Sequence, residues 1–179
     1  MKILNYFWLG MYYGVARYLP KSHSRMVGLG GGKLRRICAQ HLFAYCGEKV
    51  NIERMAHFGT GEKIEIGNHS GIGISCRVPN DIKIGDNVMM GPYCNFLGSK
   101  THRYDSVDIP MIKQGRISVG RIIIGDDVWI GQQCLVLGGK EIGCHSIIGA
   151  GSVVSKNIPE YVVAAGNPIR IIKERKKIR

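Results

Sequence analysis

The stretch Ile124-Gly125-Asp126-Asp127-Val128-Trp129-Ile130-Gly131-Gln132-Gln133-Cys134-Leu135-Val136 places an aliphatic residue at every sixth position. An amphipathic helix repeats at about 3.6 residues and a half-buried strand at about two, so a spacing of six belongs to a solenoid. The series runs on through Ile142, Ile148 and Val154, and upstream through Ile66, Ile72, Val78, Ile84, Met90 and Phe96. The residue after each of these refines the period. It is Gly67, Gly73, Pro79, Gly85, Gly91 and Leu97, then Gly125, Gly131, Leu137, Gly143, Gly149 and Ser155: two glycines, then another residue, four times over. The true repeat is therefore 18 residues, one coil of three short strands joined by three corners. Two corners are expected to use glycine's conformational freedom and the third not. Two residues before the aliphatic positions stand Ser70, Cys76, Ile82, Val88 and Cys94, then Val128, Cys134, Lys140, Ser146 and Ser152. Such positions should point into a narrow prism, which makes Cys76, Cys94 and Cys134 small core residues and puts Cys144, out of phase, at a corner. The pattern is strong over 66–157 and loose over 48–65, so four regular coils and one irregular one should stack to about 24 Å at ~4.8 Å per coil.

One excursion breaks the series. From Phe96 to Ile124 is 28 residues where six are due, so 22 residues leave the prism and return in phase. A long insertion in a regular solenoid invites a functional reading. This one contains His102-Arg103-Tyr104-Asp105-Ser106-Val107-Asp108.

The whole chain has 179 residues, 45% of them hydrophobic, with a formal net charge of +12. That excludes wholesale disorder. No run of about 20 apolar residues exists, and six cysteines without a secretory pattern or any CxxC argue against a disulfide scaffold or a zinc ribbon. The charge is uneven. Residues 1–47 carry Lys2, Arg17, Lys21, Arg25, Lys33, Arg35 and Arg36 and no Asp or Glu, and residues 168–179 carry Arg170, Lys173, Arg175, Lys176, Lys177 and Arg179 against Glu174. The body between them is neutral. Basic ends on a neutral body fit lipid headgroups or a phosphorylated ligand better than nucleic acid.

Ile3 to Ala16 is aromatic, with only Asn5 strongly polar, too short to span a bilayer, and followed by breaks at Pro20 and at Gly28-Leu29-Gly30-Gly31-Gly32. Lys33 to Cys46 then reads as an amphipathic helix through Leu34, Ile37, Cys38, His41, Leu42 and Tyr45. Two such helices can lie in a membrane interface or pack on their own domain, and the sequence leaves both open. The division expected is a helical extension over 1–47, a β-helix over 48–167 with its loop at 98–121, and a basic tail over 168–179.

The [Ile/Val]-Gly-x-x-[small]-x repeat resembles the hexapeptide-repeat acyltransferases. Ile124-Gly-Asp-Asp-Val-Trp-Ile-Gly131, Ile148-Gly-Ala-Gly-Ser-Val-Val-Ser-Lys-Asn-Ile-Pro159 and Tyr161-Val-Val-Ala-Ala-Gly-Asn-Pro-Ile-Arg170 are similar to segments of the maltose and galactoside acetyltransferases. The resemblance implies an all-β solenoid, a triangular left-handed parallel β-helix, against the usual right-handed crossover rule. It implies a homotrimer with active sites between subunits, acetyl-CoA as co-substrate, and no required metal. It implies His102 as general base, because an alcohol attacking a thioester must lose a proton and imidazole accepts one near neutral pH. It implies the Gln132 backbone amide on the thioester oxygen, Ala150 on the pantetheine arm, and Ser155 and Lys156 further along that arm or at the nucleotide. Arg170 and Lys173 would meet the CoA phosphates, and Trp129 would pack at a corner near the cofactor or at a subunit interface.

Two departures concern the acceptor: His102-Arg103 replaces the common His-Pro, and Gly71-Ile72-Gly73 occupies a coil that holds sugar in those enzymes. Asn80, Asn95 and Asp105 are the substitutes chosen here, as polar residues near the excursion. The basic N-terminal segments are more similar to acetyltransferases of capsule, exopolysaccharide and O-antigen clusters. They imply a surface glycan or lipid-linked acceptor, a cytoplasmic protein at the inner membrane face, and peripheral contact through 1–47. Other readings are an antibiotic, amino acid or nucleotide amino sugar acceptor, a non-catalytic prism, and a γ-class carbonic anhydrase. The last needs three zinc-binding histidines, and the neighbours of His102, namely His69 and His145, lie 33 residues before and 43 after it.

Overall fold

The computed structural model describes residues 3–22 and 30–175. Lys2, Arg25, the Gly28-Leu29 part of the expected break, and Lys176, Lys177 and Arg179 of the tail lie outside the described residues. The repeat folds into a three-faced parallel prism. On the first face Tyr45–Cys46, Glu65–Ile66, Lys83–Ile84, Ile123–Ile124 and Glu141–Ile142 pair in that order, and Ile158 adds a further rung beside Ile142. The second face holds Asn51–Ile52 beside Gly71–Ile72. It continues with Met89–Met90, Trp129–Ile130, Ile147–Ile148 and Val162–Ala165, and Arg170–Glu174 closes it antiparallel. The third face holds Asn95–Phe96, Leu135–Val136 and Val153–Val154, with bridges from His57 to Arg77 and Arg77 to Asn95 below. Glu65 pairs with Lys83 one coil on, whereas Lys83 pairs with Ile123, a coil plus the excursion away. The aliphatic positions fill the interior, with Ile66, Ile72 and Ile130 at 0% exposure, each worth about 1.5–3 kcal/mol of burial.

The corner glycines serve a different purpose from the one expected. None of Gly67, Gly73, Gly85, Gly91, Gly125, Gly131, Gly143 or Gly149 has positive φ. A Cβ on Gly73 would instead lie 2.4 Å from Gly91 O, and one on Gly131 would lie 2.5 Å from Ala150 N. The glycines are there because successive corners stack in contact. The left-handed conformation falls two residues later, on His69, Ser75, Asn87, Tyr93, Asp127, Gln133 and His145, with φ from 51 to 62°. It aims each N–H at the preceding coil, as from Tyr93 to Ile74 O (2.8 Å) and from Gln133 to Pro92 O (2.9 Å). These bonds offset the strain of non-glycine residues in that region.

The solenoid begins earlier than expected. Helix α1 is Ile3–Gly14, continued by a 3-10 turn Ala16–Tyr18, and helix α2 is Gly31–Leu42. α2 starts inside the glycine run, where a Cβ on Gly31 would lie 2.9 Å from Pro20 O. It stops four residues before Cys46, because Phe43 turns to extended backbone and Tyr45–Cys46 enters the first face. The inner sides of both helices pack on the first coil: Tyr12, Ala16, Cys38, Ala39 and Leu42 are buried in one core with Ile52 and Phe58. Tyr12 OH donates to Ala56 O (3.0 Å) and Tyr13 OH to Gly59 O (2.8 Å). Arg35, read from sequence as part of a basic face, is fully buried. Its guanidinium donates to Ile52 O (2.6 Å), Leu19 O (3.1 Å) and Pro20 O (3.2 Å), with Glu53 at 3.8 Å.

All six cysteines are free thiols. Cys76, Cys94 and Cys134 are buried and donate to the corner carbonyls of Gly91, Gly131 and Gly149 at 3.1–3.2 Å. Burial pushes the Cys38 thiol up to about 11, which keeps it protonated and unreactive at neutral pH.

Candidate active site

The excursion is a hairpin arm, not an irregular loop. Lys100–His102 pairs antiparallel with Arg116–Ser118, so His102 ends a strand opposite Arg116. The tip turns through the 3-10 segment Met111–Lys113, and the Gln114 side chain closes it by donating to Ser106 O and Ile109 O. The arm leaves the edge between the third and first faces. There Gly138 and Gly139 make room for it: a Cβ on Gly139, whose φ is +69°, would lie 1.7 Å from Val119 O. The imidazole of His102 is exposed, as are Tyr104, Val107 and Ile112. Asp105 pairs with Arg103 (3.0 Å).

Gln132 lies at the corner between the second and third faces, above Gly91-Pro92 and below Ala150. The two glycine corners differ here in a way that matters for chemistry. At the corner between the first and second faces, the amides after Gly67, Gly85 and Gly125 are capped by the coil above. Asn68 N–H donates to Asp86 Oδ1 (2.6 Å), Asp86 N–H to Asp126 Oδ1 (2.7 Å), and Asp126 N–H to Cys144 Sγ (3.3 Å). Above Gln132 stands Ala150, whose methyl accepts nothing, and the Gln132 N–H has no partner among the described residues. Higher on the same edge, Gly149 stacks under Ala165, and Ala165 pairs with Arg170. Lys173 pairs with Val163 on the closing strand, and both cations are exposed.

Trp129 departs from its expected corner. It stands within a strand on the second face between Met89 and Ile147, half exposed. Ser155 and Lys156 follow Val153–Val154 at the far edge of the third face. Asn95 is on that face beside Leu135, and Asn80 accepts from Thr60 Oγ1 (2.9 Å). Among the described residues no hydrogen bond or ion pair joins Asn80, Asn95 and Asp105 to one another, or His102 to Gln132. Within one chain the arm and the open amide occupy different edges. His145 is a coil-surface residue, with Nδ1 2.9 Å from Asp127 Oδ2 and its ring stacked on Tyr161. That hydrogen bond, with Arg175 nearby, holds the Asp127 carboxyl below the usual carboxylate range. No group of three or more His, Cys, Asp or Glu converges as metal ligands among the described residues. Sequence reading missed the capped and uncapped corners, although the residues after the glycines carry the signal: Asn68, Asp86 and Asp126 in one series, Ile74, Pro92, Gln132 and Ala150 in the other.

The prism with a single histidine-bearing arm defines a class, the hexapeptide-repeat acyltransferases. No family model matches the chain. The galactoside O-acetyltransferase of Escherichia coli K12 is 35% identical over 144 residues, 78% of this chain and 68% of that enzyme. The chain spans 43% and 51% of the length of two further curated relatives. A maltose O-acetyltransferase structure from Clostridium difficile superposes with a TM-score of 0.76 at 26% identity, covering 98% of this chain and 90% of that one. A hexapeptide-repeat acetyltransferase from Vibrio cholerae, solved with acetyl-coenzyme A, superposes at 0.70 with 31% identity over 80% of this chain and 77% of that one. The chain belongs to the galactoside and maltose O-acetyltransferase family, left-handed β-helix enzymes of the hexapeptide-repeat class.

Proposed function

We propose that the chain transfers an acetyl group from acetyl-CoA to a sugar hydroxyl, with His102 as general base. The observation that carries this reading is the uncapped Gln132 amide on a glycine corner, with Arg170 higher on the same edge. An open backbone N–H is a fixed donor for a developing oxyanion, and cations beyond it suit phosphate. The acceptor oxygen attacks the thioester carbonyl carbon while its proton passes to the His102 imidazole. The tetrahedral oxyanion accepts from Gln132 N–H. Collapse breaks the C–S bond, and the imidazolium returns the proton to the departing thiolate.

Arm and corner lie on different edges of one chain, so the site is completed in a homotrimer by His102 of a neighbouring chain. The exposed Val107 and Ile112 of the arm support such docking. Ala150 would line the pantetheine, with Ser155, Lys156, Arg170 and Lys173 toward its phosphates. Trp129 would serve the cofactor groove or the subunit contact, and Asn80, Asn95 and Asp105 the acceptor. The acceptor class is a bacterial surface polysaccharide or its lipid-linked precursor, in a cytoplasmic enzyme working at the inner membrane face.

The test is chromatographic release of free CoA from acetyl-CoA against a panel of sugars and lipid-linked glycans, with wild type and His102→Ala side by side. Acceptor-dependent turnover that His102→Ala lowers about 10²–10⁴-fold is the expected result. A His102→Ala rate near that of wild type would sink the assignment.

A further inference from the structure

The inner side of α1 is buried in the cap of the prism; its outer side has no covering among the described residues. Leu4, Phe7 and Val15, the last just beyond the helix end, are 59%, 55% and 50% exposed and lie on one side of the helix. Tyr6 and Tyr18 are exposed as well. α1 carries no charged residue on any side. A surface helix ordinarily turns polar residues outward, so an apolar outer stripe marks a partner.

The charges on the cap are mostly basic. Lys21, Lys33, Arg36 and Lys49 line a cleft beside the start of α2, with Ser22 and Asn51 and no carboxylate in its walls. Lys21 follows Tyr18 by three residues and Lys33 precedes the exposed Ile37 by one turn, so the cations and the stripe belong to the same helical cap. Among the described residues from 3 to 50, Glu48 is the one acidic side chain. Glu53 of the first coil is turned to Arg35 and Ser22.

We infer that this cap docks the prism end-on onto an anionic lipid bilayer, with Leu4, Phe7 and Val15 at the acyl boundary and Lys21, Lys33, Arg36 and Lys49 at the headgroup phosphates. An uncharged helix too short to span, bordered by cations, is suited to lie in the interface. No helix among the described residues is long and apolar enough to cross a membrane. Apolar side chains also form the cores of protein interfaces, and what favours an anionic bilayer here is the neighbouring cation cleft with no carboxylate in its walls. In the proposed trimer three such caps act together, and avidity multiplies a weak single contact. The inference deepens the lipid-linked acceptor reading and rests on it only for biological sense, since docking itself uses neither CoA nor acceptor.

The test is flotation of the full chain with phosphatidylcholine vesicles, with and without phosphatidylglycerol, at low and high salt. Wild type is expected to float with the anionic vesicles and to be released by salt. Phe7→Glu, and separately Lys21→Glu with Lys33→Glu, should each lower the bound fraction about tenfold. Melting curves check that these exposed changes leave the fold intact. The inference is overturned if wild type stays unbound, if both variants float like wild type, or if Phe7→Glu merely shrinks a larger particle that never floats. Turnover of wild type on a soluble sugar is measured separately, so a failure of docking and a failure of acetyl transfer are told apart.

Discussion

Coils and arm dispose of their aliphatic side chains in opposite ways. In the coils Ile66, Ile72, Ile124, Ile130 and Val136 are at 0–1% exposure, while in the arm Val107 is at 96% and Ile112 at 82%. A coil finds its neighbours within its own chain, so its geometry is settled locally and repeated. The arm has only its own two strands, and an isolated hairpin is marginal in water. Its apolar residues Val107 and Ile112 lie open to solvent. The difference teaches where repetition and exposure reside: the prism repeats its corner amides from coil to coil, and the arm holds out His102, the base proposed above.

Replacing residues 98–121 by a short Gly-Ser link tests this most severely. The prism should remain, by far-ultraviolet dichroism, while turnover falls about 10²–10⁴-fold with the proposed base removed. Loss of the prism instead would show that the arm is part of the fold.

Gly73→Ala probes the opposite region. Its Cβ would press on Gly91 O and Met90 O, and backbone cannot yield cheaply, so a loss of about 1–3 kcal/mol is expected in urea unfolding. Gly115→Ala in the arm meets nothing within 4 Å and faces only a φ of +80°. Its penalty should be about 1 kcal/mol and should appear as arm disorder, not lower prism stability. Equal effects would erase the contrast.

Arg170→Ala and Lys173→Ala should raise KM for acetyl-CoA about tenfold each with kcat little changed, since a phosphate contact contributes equally to ground and transition states. A fall in kcat alone would place these cations in the chemistry.

The smallest effect concerns Asp127. Its carboxyl is held low by His145 and Arg175, so its stabilisation is present above the unfolded carboxylate range and disappears as pH falls through the lower folded value. The site is half exposed, so Asp127→Asn should cost a few tenths of a kcal/mol at pH 7 and nothing in strong acid. A thermal-melt series across the acid range reads the difference.

Much of the prism is legible in the sequence, because a six-residue period has one structural meaning and each inward position repeats it. The excursion is legible as a break in that count, and His102 as its conspicuous residue. The hairpin inside it is not, since Lys100–His102 and Arg116–Ser118 lack the alternation of a half-buried strand and are exposed throughout. Tyr45–Cys46 is hidden for the opposite reason: Tyr45 continues the helical spacing of α2, and only pairing with Glu65–Ile66 overrides it. Arg35 sits in a run of cations, where no local pattern separates a solvated guanidinium from one that holds four backbone carbonyls. The two chemistries of the glycine corners escape a reading by period alone, because they depend on which side chain the next coil presents.

The hydrogen bonds from Tyr12, Tyr13 and Arg35 to Ala56, Gly59 and Ile52 have a consequence for self-assembly. A stack of parallel coils ends in exposed ladder edges, each a template for the next chain to extend. Here the N-terminal edge is answered by side chains whose geometry no incoming coil can copy, and at the other end Arg170–Glu174 runs antiparallel and so breaks the pattern an added coil would follow. The same residues that complete the fold keep a surface suited to fibre growth from ever being offered.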